Sequence, residues 1–285
     1  MRSLRQGLAA LIASAALAVW LTAPLAAQDD PAGAASWQIE GLRRGFCVQL
    51  LLDPASKALR ALPEGYHALP ASKAGDLHVS LRGVVQGQPE FAAWSPSRLC
   101  FEAVDSLRTP QFTLTNHNGK HPHLFAVWTV SAADSAGAAH EVALGLFASS
   151  SRMVRSARLA GQELDEARLT VGPIPGEAEE EDEVVPSLDR RFQVKLGKTT
   201  ITWDGHPAGD SAAVQGKVER AWVAPGTRGG LVTGRVSLTP AYSRAMAGSL
   251  KIDGKNDFAN ALKASPTRFV GPEYFGGAGM IAFGH

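Results

Sequence analysis

Apolar and polar residues alternate with period two along much of the chain, the repeat of a half-buried β-strand. Leu77, Val79 and Leu81 alternate with His78, Ser80 and Arg82, and Phe112 and Leu114 with Thr113 and Thr115. Phe192, Val194 and Leu196 repeat the pattern, as do Val232, Val236 and Leu238 around Gly234. The run Leu124–Val130 is apolar on both faces, as a central strand requires. Asn118-Gly119 between two strand-like runs predicts a hairpin, because both residues accept positive φ. Helices are few and short. Asp53 as N-cap and Pro54 in the first turn predict a helix through Leu62, stopped by Pro63. Asn256 or Asp257 caps a second over Phe258–Ala264, ahead of Pro266. Residues 151–169 fit a helix through Met153, Ala157, Ala160 and Leu164, or a hairpin turning at Gly161, and are read as strands. The predicted fold is mainly β: curved, largely antiparallel sheets forming a partly open barrel with two or three short helices.

The first 27 residues have a different pattern. Arg2 and Arg5 precede an apolar run from Gly7 to Thr22, and Pro24-Leu25-Ala26-Ala27 leads into Gln28-Asp29-Asp30. This is the layout of a secretory signal peptide cleaved after Ala27. Leu25 suits the third position before the cut less well than Ala, so an uncleaved anchor is the alternative. No later stretch reaches the roughly 20 apolar residues of a membrane span. The expected location is periplasmic or secreted. Residues 28–36 read as a disordered polar tail, and 37–285 as a single β-rich domain. Within it an acidic loop at 173–186 is expected, where Pro173-Ile174-Pro175-Gly176 runs into Glu177-Ala178-Glu179-Glu180-Glu181-Asp182-Glu183. Division into two domains at that loop is the alternative.

Charge excludes two partner classes. The chain has 28 basic and 27 acidic residues, two of the basic ones in the leader. A near-neutral remainder offers no electrostatic footprint for nucleic acid or anionic lipid. Cys47 and Cys100 are the only cysteines, and an exported chain pairs them by default. Two buried thiols are the competing reading. The absence of Cys-x-x-Cys spacing argues against a redox or metal role.

The segment Phe46-Cys47-Val48-Gln49-Leu50-Leu51-Leu52-Asp53, continuing through Ala58-Leu59-Arg60 to Leu62-Pro63-Glu64-Gly65-Tyr66, resembles the opening of the acetoacetate decarboxylase family. A later stretch, Lys217-Val218-Glu219-Arg220-Ala221-Trp222 to Pro225-Gly226-Thr227-Arg228, is similar to the family's late strand and its Thr-Arg turn. The resemblance implies a curved β-architecture around a small-molecule cavity, and a Schiff-base lysine with a lowered pKa acting on a β-keto acid. The corresponding region, Leu146 to Arg152, holds no lysine, and none lies between Lys120 and Lys195. The family's glutamates have no counterpart in Trp94-Ser95-Pro96-Ser97-Arg98. Arg43 or Arg44 matches the family's arginine before the first strand. Decarboxylation by imine chemistry is therefore not expected, since arginine cannot form the imine.

Other candidates are weaker. His117, His121 and His123 could ligate zinc or copper around a hairpin tip, although Pro122 and Lys120 oppose it and an exposed polar turn is the competing reading. Trp94 and Trp128 are candidate cavity-lining aromatics, core anchoring being the alternative. Gly209-Asp210-Ser211 lacks the partner residues of an esterase, and the glycine-rich segments near 226 and 271 open no helix for phosphate. No cofactor is expected. The function expected from sequence is non-catalytic binding of a small, largely apolar ligand by Arg43, Arg44, Trp94 and Trp128. A lyase or hydrolase acting on a small keto acid is the first alternative, and a structural or partner-binding protein of the cell envelope the second. Several ionisable groups in the cavity would favour the enzyme; a dry apolar one would favour the binder.

Overall fold

A computed structural model describes residues 37–40, 42–75, 79–104, 106–108, 113–115, 123–159, 161–173, 190–196, 198–240 and 242–284. The described part is mainly β, with three α-helices. The ten strands that frame the site are, in chain order, β1 (Trp37–Glu40), β2 (Leu42–Leu52), β3 (Ser95–Val104), β4 (His123–Ala133), β5 (Ala139–Ala148), β6 (Val218–Pro225), β7 (Leu231–Thr239), β8 (Tyr242–Arg244), β9 (Glu273–Phe275) and β10 (Ala278–Gly284). They run in the order β1-β10-β7-β6-β5-β4-β3-β2-β9-β8 through a sheet of fourteen strands that does not close into a barrel. Pairing is antiparallel along this path except where β6 meets β5 in parallel at Val223 and Val142.

The sheet is curved. Phe125 on β4 and Phe283 on β10 lie four strand spacings apart along the order, roughly 19 Å in a flat sheet. Their ring centroids are 6.1 Å apart, with Trp222 of β6 at 6.1 Å from each. One face therefore wraps around a core that also holds Val104, Val127, Leu146, Met153 and Val236. The other face carries Phe46, Phe101 and Trp128 against a four-stranded antiparallel sheet, Arg168–Pro173, Arg190–Leu196, Thr199–Pro207 and Met246–Asp253. Phe101 meets Phe192 there at 4.5 Å. Strict alternation along β2 and β3 is what lets one strand serve both cores. Lys195 is exposed between buried Val194 and half-buried Leu196, as its alternation requires.

Three sequence expectations are corrected. Leu77–Leu81 was expected to contribute a strand, but α1 (Val79–Gly87) occupies its second half. Leu81 is buried against Leu51 and Ala71, with Val84 and Val85 packed alongside at helical spacing. Residues 151–169 begin with α2 (Ser151–Leu159), whose buried Met153, Val154 and Ala157 form one helical stripe. Gly161, at φ 89°, stops that helix, and the Gln162 amide donates to the Ala157 carbonyl at 2.9 Å. The expected helix from Asp53 shrinks to a 3-10 turn over Lys57–Ala61 capped by Ser56, because the Asp53 carboxylate accepts from the Ala55 amide instead. The third helix, α3 (Asp257–Ala264), starts as expected, with Asn256 accepting from the Ala259 amide at 2.9 Å. The Asn118-Gly119 hairpin, the tail 28–36 and most of the acidic loop lie outside the described residues. Among the described residues no helix is long and apolar enough to cross a membrane.

Candidate functional site

Alternation puts Arg98, Cys100 and Glu102 on the same face of β3. Register sets Arg98 opposite Thr129, Cys100 opposite Val127 on β4, and Ser131 opposite Glu141 on β5. β6 adds Arg220 and Trp222. A cavity of about 300 Å³ opens over these strands, lined by Arg98, Cys100, Thr129, Glu141, Arg220 and Trp222 among others. No lysine lines it. The lining is therefore mixed: an apolar side from Val127 and Trp222, and ionisable groups on two walls.

Beside the cavity is a buried ion pair. The Glu102 carboxylate is 0% exposed and contacts the Arg220 guanidinium, itself 12% exposed. Gly45, directly opposite Glu102 on β2, makes the room: a Cβ there would overlap the carboxylate. Arg220 also donates from Nη1 to Cys47 Sγ at 3.3 Å. Burial, and secondarily the nearby Arg98, pull the Arg220 pKa down to about 10, so it stays a cation at neutral pH. Cys47 and Cys100 form a disulfide across β2 and β3.

Glu141 is held from several sides. Thr129 Oγ1 donates to its Oε2 at 2.5 Å and Ser131 Oγ to its Oε1 at 3.1 Å. Arg98 Nη2 stands 4.0 Å from Oε1, an ion pair beyond hydrogen-bond reach. The neighbouring His140 bonds through Nε2 to Asp134 Oδ2 at 2.9 Å, which holds the Asp134 carboxyl below its ordinary value.

The sequence candidates are placed as follows. Arg44 lies on the opposite face from Glu102, where its Nη1 is 3.3 Å from Glu273 Oε1. Glu273 is 0% exposed and also receives Arg244 Nε at 3.0 Å, with that guanidinium 5.1 Å from the Phe275 ring centre. Arg44 thus belongs to a buried charge cluster on β2, β9 and β8 and not to the cavity. The Arg43 side chain lies outside the described residues. Trp128 is buried on the far face, its Nε1 donating to Ser97 Oγ at 2.9 Å, and Trp94 packs edge-on against Phe91 near α1. Neither lines the cavity; Trp222 does. His117 and His121 lie outside the described residues. His123 is half-buried, with its pKa lowered by that burial. Among the described residues no three His, Cys, Asp or Glu side chains gather as a metal site.

Sequence reasoning missed Glu102, Glu141 and Arg220 as site residues. Glu102 had a signal, a carboxylate within the apolar stretch Leu99-Cys100-Phe101-Glu102-Ala103-Val104. Its partner lies 118 positions away, a pairing that no local pattern encodes.

No family model and no curated protein matches this chain. Among solved structures it is similar to the enduracididine biosynthesis enzyme MppR complexed with pyruvate, at 13% identity and TM-score 0.46, over 88% of each chain. The same enzyme with HEPES buffer bound gives 14% identity and TM-score 0.45, over 88% of this chain and 85% of that one. An acetoacetate decarboxylase-like enzyme from Sphingomonas wittichii RW1 gives 8% identity and TM-score 0.37, over 88% and 91%.

Proposed function

We propose that this is an exported protein whose cavity binds a small organic acid, without imine chemistry. The observation that carries the reading is Arg98: a cation at the cavity wall whose only ion-pair partner among the described residues, Glu141, is 4.0 Å away and already bonded to two hydroxyls. Its guanidinium matches a carboxylate in geometry and charge. Trp222 and Val127 offer an apolar surface to the rest of the molecule. The ionisable lining moves the ligand away from the largely apolar one expected from sequence. It also supports a second reading, a lyase or hydrolase acting on a small keto acid, with Glu141 available to accept a proton.

Mass spectrometry of small molecules released from the purified protein is expected to show a carboxylic acid. Arg98→Gln should weaken its rebinding by about tenfold to a hundredfold, the loss of one charge-assisted hydrogen bond. Equal affinity in that variant sinks the reading. Incubation with acetoacetate and borohydride should leave every lysine unmodified; a stoichiometric mass increase on one lysine restores the Schiff-base mechanism. Turnover of a keto acid that disappears in Glu141→Gln would select the enzyme.

A further inference from the structure

We propose that Cys100 Sγ is the electrophilic sulfur of a thiol–disulfide exchange site, open to a small thiol entering the cavity, with Cys47 as the leaving group. Three observations converge on that assignment, and none depends on what else the cavity binds.

The first is direction. A thiolate attacks a disulfide along the S–S axis, on the side away from the departing sulfur. Across the sheet, Cys47 of β2 pairs with Cys100 of β3, and Cys100 pairs on its other side with Val127 of β4. Cys100 and Val127 line the cavity, whereas no described side chain of β2 does. The open space thus reaches the flank of Cys100 next to β4, the side away from Cys47, while Arg220 stands between the cavity and Cys47.

The second is the leaving group. Exchange speeds up as the leaving thiol becomes more acidic, and a neighbouring cation makes it so. Arg220 donates to Cys47 Sγ at 3.3 Å and therefore meets the sulfur that would take up charge. The other ionisable groups on this face or lining the cavity are Arg98 with its partner Glu141, Glu102, His140, Glu219, and Tyr274, the last paired with Gly45. Glu102 opposes a thiolate, but its carboxylate is engaged by Arg220, and Arg98 adds a second cation.

The third is shielding. Cys47 and Cys100 are 8% and 2% exposed, which shields the disulfide from bulky reagents, and of the two sulfurs' residues only Cys100 lines the cavity. The small thiol is itself the reductant, and the step needs no other. The incoming thiolate forms a bond to Cys100 sulfur, the S–S bond breaks, and its electron pair leaves on Cys47 as a thiolate. A second thiol attacking the mixed disulfide would complete reduction of the protein and release a small disulfide.

The test is regiochemistry on the native, folded protein. After treatment with 3-mercaptopropionate, acid quenching, and alkylation of the released thiol, peptide mapping should place the small thiol on Cys100 and the alkyl group on Cys47. The expected excess over the reverse product is at least about tenfold. Adducts mainly on Cys47, or no reaction where the urea-unfolded protein reacts, overturn the proposal. Arg220→Lys retains the charge opposite Glu102 while withdrawing the guanidinium from Cys47. With near-ultraviolet circular dichroism unchanged, exchange should slow about tenfold; an unchanged rate removes Arg220 from the site.

Discussion

Glu102 places a carboxylate among apolar strands, and its cost is offset only by what surrounds it. Gly45 yields space, and Arg220 supplies the opposite charge. Removing one partner of such a pair strands the other charge, whereas removing both does not. Glu102→Gln is therefore expected to destabilise the fold by about 3–5 kcal/mol, read as a lower urea midpoint at an unchanged slope. The double variant Glu102→Leu with Arg220→Met should recover much of that loss. A double variant as unstable as the sum of the single ones shows that the pair is uncoupled. Single residues were also where the sequence was least legible. Gly234 interrupts an alternating strand with no local reason, yet it lies opposite Trp222, and a Cβ there would strike the indole. The tryptophan and the glycine explain one another only after strand pairing is known.

At the scale of elements, alternation served well wherever both faces of a strand are used. Leu124–Val130 was read as a central strand and lies in β4 between β3 and β5. It failed for short runs: Val79 and Leu81 lie in the first turn of α1, where half-buried Val84 and Val85 continue the packed face of Leu81 at helical spacing. Gly161 was ambiguous for a similar reason, since positive φ ends a helix as readily as it turns a hairpin. In the smaller sheet, Arg191 lies directly opposite Asp204 and bonds it through Nε and Nη2, each at 2.7 Å. The arginine holds the Asp204 carboxyl below its ordinary value of 3.8. A carboxyl depressed on folding contributes stability that is complete above its unfolded pKa and lost as pH falls through the folded one. Asp204→Asn should therefore flatten the acid dependence of unfolding below about pH 4 and leave its shape near neutrality unchanged. A variant with the wild-type acid profile would show that this pair does not couple to folding.

For the whole molecule, the fold class and the Cys47–Cys100 pairing were legible because each rests on composition and short patterns. The cavity was not, since its walls come from residues as distant as Arg98 and Arg220, brought together by sheet order alone. Two expectations about the full chain follow from sequence. Cleavage after Ala27 should give an intact mass starting at Gln28, and a protein that still begins with Met1 rules this out. A Glu-specific protease should cut first within 173–186 and leave two fragments that stay associated; fragments that separate under native conditions would mean two domains. The order of pairing has a consequence in time. β1 finds its partner in β10, and β2 takes β9 and the short strand Arg268–Val270 along one edge. Contacts separated by more than two hundred residues are closed only after most of the chain is present. While the polypeptide emerges from its N-terminus, β1 therefore lacks the strand it pairs with among the described residues, and the sheet is completed only when the final strands arrive. The β2–β5 meander needs only residues 42–148 and can pair early, so it is the closing of the sheet at its outer strands that waits for the end of the chain.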